Sequence, residues 1–80
     1  MNLEIGMLAK VKAGHDKDCI YVITNLDDKN VYLADGNLRP VCNPKKKNKK
    51  HVQPICYKRC DDTKNDMAIT KVIKEIARDL

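Results

Sequence analysis

Residues 6–36 read GMLAKVKAGHDKDCIYVITNLDDKNVYLADG, three short runs of β-type residues separated by two polar turns. Met7, Ala9, Val11 and Ala13 fall on one face of a period-two pattern, with Leu8, Lys10 and Lys12 on the other, which predicts a half-buried strand ending at Gly14. His15-Asp16-Lys17-Asp18 is wholly polar and makes a loop. Cys19 to Leu26, CIYVITNL, is rich in β-branched residues and apolar on both faces for most of its length, as a central strand would be. Asp27 to Asn30 turns the chain into a short strand, Val31 to Ala34. Asp35-Gly36 suits the two positive-φ positions of a type I′ hairpin turn, which predicts that Asn37 to Cys42 returns antiparallel to residues 31–34.

Outward from this stretch the signals weaken. Pro40 lacks an N–H and suits a sheet edge or a bulge. After Asn43-Pro44, the run Lys45-Lys46-Lys47-Asn48-Lys49-Lys50 places five like charges within six residues, which predicts an exposed loop. His51 to Ile55 reads as one more short strand, with Val52 inward. Residues 56–62 read as a connector. Thr63 is a good N-cap with Asp66 in the capping-box position, so a helix is expected over 63–80. Its apolar stripe would be Ile69, Val72, Ile73, Ile76 and Leu80.

Eighty residues make one small domain with a modest core, and the absence of Trp and Phe leaves that core to aliphatic side chains. A deep cofactor pocket does not fit such a body, and no cofactor is expected. No apolar run approaches the roughly 18 residues of a membrane span, and the N-terminus lacks a basic-then-apolar leader. The expectation is a cytoplasmic protein whose four cysteines are thiols, since cytosolic reductants keep them reduced. The net charge is +5, unevenly spread. Residues 1–42 carry 5 basic and 6 acidic side chains, residues 43–60 carry 7 and none, and residues 61–80 carry 4 and 5. So local an excess creates the positive potential that holding a polyanion requires.

The chain resembles the KOW-motif proteins, small SH3-like barrels found in ribosomal proteins and in NusG-type transcription factors. The residues that carry the likeness are Gly6, the alternation to Val11, Gly14, Asp16-Lys17, Ile20 to Ile23, and Val31-Tyr32-Leu33 before Asp35-Gly36. Leu38-Arg39, Asn43 to Asn48 and Lys50-His51-Val52 look like the closing segment in KOW-bearing large-subunit ribosomal proteins of archaeal and eukaryotic type. The resemblance covers about residues 5–55 and departs at Asp18, where the family usually has glycine. It implies a mainly β chain with an SH3-like barrel of about five strands over residues 1–55, and the C-terminal helix lies outside it. It also implies RNA, most simply ribosomal RNA, as the partner.

Lys45, Lys46, Lys47, Lys49 and Lys50 are the candidate phosphate-gripping residues, because each ammonium that neutralises a phosphate releases counterions. Lys58 and Arg59 would extend the patch, Arg39 would join it from the neighbouring strand, and Lys17 lies in the loop after Gly14. Tyr57, beside the basic cluster, is the stacking candidate, while Tyr21 and Tyr32 are expected to pack in the barrel. Cys42, His51, Cys56 and Cys60 form a zinc set by ligand chemistry, since thiolate and imidazole are suitable ligands, but they lack paired CxxC knuckles. No nucleophile with a nearby base and no glycine-rich phosphate loop is present, so an enzyme is not expected. The competing expectation is a protein-interaction module, docking on a transcription or translation component through the barrel or the helix.

Overall fold

The computed structural model describes residues 3–79. Strands β1 (Met7–Val11), β2 (Ile20–Leu26), β3 (Asn30–Ala34), β4 (Lys45–Asn48) and β5 (Val52–Arg59) precede a single helix, α1 (Asp66–Asp79). The strands form one antiparallel sheet in the order β4-β3-β2-β1-β5, with a 3-10 turn at Lys49–His51 between β4 and β5. The sheet curls back from β4 to β5 through that turn, giving the small barrel-like fold with a C-terminal helix that the sequence predicts.

Two apolar layers lie on opposite faces of the sheet, and strand alternation assigns each residue to one of them. Met7, Ala9, Val11, Tyr21, Ile23, Val31, Leu33 and Val52 fill the concave interior. Leu8, Val22 and Ala34 point the other way and are buried against Ile69, Val72 and Ile76 of α1 and Cys60. Leu8 therefore departs from the half-buried reading of β1. It is fully buried because the helix covers the outer face, and each such Leu or Ile contributes roughly 1.5–3 kcal/mol. The apolar stripe of α1 is thereby spent on the sheet, with Ile73 partly buried at its margin. Leu80 lies outside the described residues.

Five expectations about the elements are corrected. Asp35-Gly36 does not form a type I′ turn, because only Gly36 of the pair has positive φ (80°). The Asp35 carboxylate instead accepts from the N–H groups of Asn37 (2.8 Å) and Arg39 (2.9 Å), winding the chain into a loop. Residues 37–42 consequently form no strand, and β3 pairs with Lys45–Asn48, Tyr32 opposite Lys46 and Leu33 opposite Lys45. The lysine run is thus an edge strand and a 3-10 turn, not a loop. Its backbone pairs with β3, and lysines at an edge discourage further strand addition.

The connector is also shorter than 56–62, since β5 runs on to Arg59. Its ladder with β1 jumps from Leu8–Ile55 to Met7–Arg59, so Cys56, Tyr57 and Lys58 bulge out of register. Finally, α1 starts at Asp66 and not at Thr63. Asn65 is the cap, its Oδ1 accepting from Met67 N (2.9 Å) and Ala68 N (3.3 Å).

Candidate nucleic-acid interface

The strand alternation of β4 splits the lysine run between two faces. Lys45 and Lys47 pair with Leu33 and Val31, whose side chains fill the interior, so both lie on the concave side. There they meet the loop after β1. Lys45 Nζ contacts the carboxylate of Asp16, and Lys47 Nζ lies against Gly14, 3.3 Å from where a Cβ would stand. Lys46 shares the outer face with Tyr32 and is exposed. Of the five lysines in the run, only Lys45 is ion-paired among the described residues. The other four keep their positive charge uncompensated by a contacting carboxylate.

Lys49 and Lys50 sit in the 3-10 turn, which Asn48 opens by accepting from Lys50 N through Oδ1 at 2.8 Å. Lys49 N donates to the carbonyl of Lys29 at 2.9 Å, tying this turn to the β2–β3 turn. The result is a cleft of about 380 Å³ lined by Asp28, Lys29, Asn48, Lys49 and Lys50. Lys29 was not among the sequence candidates. Nothing near it in sequence is basic, and only the fold brings the two turns side by side.

The remaining candidates are dispersed. Lys17 is exposed in the loop after Gly14. In that loop Asp18 takes φ 73° and donates its N–H to Val11 O, while its carboxylate lies 3.6 Å from Lys10. Arg39 accepts through its carbonyl from Asp35 N (2.9 Å). Its guanidinium acts on the phenol of Tyr21, lowering a pKa that burial, and then the charges of Cys19 and Asp35, raise. Lys58 and Arg59 do not extend the lysine patch, because β5 separates them from Lys50 by about 20 Å at ~3.3 Å per residue. Both are also paired with carboxylates, Lys58 with Glu75 (2.5 Å) and Arg59 with Glu4 (2.5 Å). Tyr57 is 65% exposed, as a stacking residue would be, but it sits in the β5 bulge beside those compensated charges.

The zinc set is not assembled. Cys42, His51 and Cys56 are exposed, whereas Cys60 is buried beneath α1, and among the described residues no three potential ligands converge. Burial pushes the Cys60 thiol above its ordinary pKa, and its S–H donates to Asp62 O at 3.5 Å, so it stays a protonated core residue.

Tyr32 is the residue that sequence reasoning misplaced. It points away from the interior that Val31 and Leu33 fill, half-buried on the outer face, with Asn25 opposite it on β2 and Lys46 opposite it on β4. Its hydroxyl donates to Asp27 Oδ2 at 3.3 Å. The Asp27 carboxyl is held below its ordinary pKa chiefly by the backbone N–H groups of Lys29 and Asn30, helped by Tyr32 and the charge of Lys46. No helix among the described residues is long and apolar enough to cross a membrane. No protein-family model matches the chain, and no curated protein shows significant similarity to it.

Proposed function

We propose that this chain is a non-catalytic RNA-binding protein of KOW type, ribosomal or ribosome-associated, acting in the cytoplasm. The observation that carries the reading is the cationic edge. Lys46, Lys47, Lys49 and Lys50 lie along one strand and the turn after it, held by backbone hydrogen bonds to β3 and to Lys29. Among the described residues none of the four has an ion-pair partner. The backbone that carries these ammonium groups is held in the sheet and the turn, so less main-chain freedom is lost on gripping a nucleic-acid backbone than a solvated loop would lose.

The alternative, a module that docks on another protein, has narrower support. The buried stripe of α1 is taken by the sheet, and the apolar side chains left exposed nearby are Met67 (82% exposed) and Leu38 (83%). Sedimentation with ribosomal subunits separates the two readings. RNA binding predicts that the protein pellets with subunits and is released by ribonuclease. Retention after complete ribonuclease digestion would favour protein docking, and failure to pellet at low salt would count against both.

A further inference from the structure

The outer face of the sheet carries a cavity that the cationic edge does not use. About 340 Å³ in volume, it is lined by Thr24, Asn25, Tyr32, Val41, Cys42, Pro44, Thr63 and Lys64. One wall is Thr24, Asn25 and Tyr32 on β2 and β3, and Lys46, opposite Tyr32 on β4, stands outside the lining. The other is the irregular chain after β3 and the connector before α1. Resting on the RNA-binding reading, we propose that this cavity takes a single unstacked nucleobase of an RNA strand, with Tyr32 as its stacking surface and Lys46 and Lys64 receiving the flanking phosphates.

Four features of the site support this occupant. The size fits a base, whose volume is well within that of a small-ligand pocket of ~300 Å³ or more. Tyr32 is held in place at both ends of its side chain's reach, its strand paired on both sides and its hydroxyl bonded to Asp27. The aromatic surface is therefore pre-formed, and aromatic stacking of bases contributes in proportion to such rigidity. The charge is complementary, since Lys64 lies on the rim and the exposed Lys46 stands opposite Tyr32 on β4.

The hydrogen-bonding groups also suit a base. Asn25 Oδ1 already accepts from Leu26 N at 2.8 Å, which leaves its NH2 group to donate. The Thr24 hydroxyl is spent as a donor to Tyr32 O at 3.2 Å. The Asn25 amide and the Lys64 ammonium can donate to base acceptors at the cavity edge, carbonyl oxygens and ring nitrogens alike, so the site accepts either uracil or adenine.

The test compares short labelled oligouridylate, oligoadenylate and a fully paired RNA stem, each titrated with the full chain and followed by fluorescence anisotropy. Both single-stranded oligonucleotides are expected to bind, since every base presents a face to Tyr32. Tyr32→Leu should weaken their binding roughly tenfold, the loss of about one stacked base, while leaving the affinity for the paired stem unchanged. Asn25→Ala, at an exposed position, should weaken both oligonucleotides several-fold and leave the stem unchanged, and this arm decides the matter if Tyr32→Leu fails to fold. A folded Tyr32→Leu protein, or an Asn25→Ala protein where Tyr32→Leu does not fold, that binds both oligonucleotides as the parent does would overturn the base pocket while lysine-dependent binding of the stem left the RNA reading standing. No binding to any of the three RNAs at low salt would overturn both.

Discussion

Asp18 is the non-glycine residue with positive φ among the described residues. The left-handed conformation costs an ordinary L-residue about 1–2 kcal/mol, partly relieved in Asp, and glycine returns some of the gain as chain entropy. Asp18→Gly is thus expected to stabilise the fold by roughly 0.5 kcal/mol, even after losing the exposed Lys10 pair, whereas β-branched Asp18→Val should destabilise it by about 1–2 kcal/mol. Urea denaturation measures both. Gly36 is the opposite case. A Cβ there would collide with Asp66 O and Thr70 Oγ1 on the first turn of α1, at φ 80°. Gly36→Ala is expected to cost about 3 kcal/mol through overpacking and backbone strain together. The Asp35-Gly36 pair was legible as a turn, but its type was not, because the choice depends on Asp35 capping Arg39 and on α1 pressing against Gly36.

At the scale of elements, β1, β2 and β3 were readable because period-two alternation and β-branched content agree there. The start of α1 was not. Thr63 and Asp66 satisfy a capping-box pattern, yet Asp66 Oδ1 accepts instead from Val41 N at 2.8 Å, 25 residues away in sequence, and Asn65 takes over as cap. The lysine run was misread for a similar reason. No local signal makes KKKN a strand, and only the free edge of β3 recruits it. A charge pair that titrates, Lys58 with Glu75, bridges β5 and α1. The hydrogen bond and charge of Lys58 hold the Glu75 carboxyl below its ordinary value of 4.5, so the folded state binds fewer protons than the unfolded chain on the acid side. The pair therefore contributes stability above about pH 4.5 that is lost as pH falls through the lowered native value. Thermal unfolding followed from pH 7 downwards should show this decline, and Glu75→Gln should flatten part of it. An identical pH profile for the variant would mean that the pair does not help to fasten the helix.

For the whole molecule, the charge asymmetry in the sequence survives folding in altered form. The acid-free segment 43–60 does not become one patch. The fold sends Lys58 and Arg59 to Glu75 and Glu4 and sets Lys45 against Asp16. Lys46, Lys47, Lys49 and Lys50 remain as an edge, joined by Lys29 from the neighbouring turn. The sequence could locate the charge but not which part of it stays uncompensated, since each neutralising carboxylate comes from a distant stretch. The central claim is that this remaining edge grips RNA phosphates. Its most direct test is the salt dependence of binding to a structured ribosomal RNA fragment, for the parent and for a variant with Lys46, Lys47, Lys49 and Lys50 replaced by Gln. The expected result is weaker binding and a slope of log K against log salt reduced by roughly one for each lysine that meets a phosphate. An affinity and a slope both unchanged in the folded variant would contradict it.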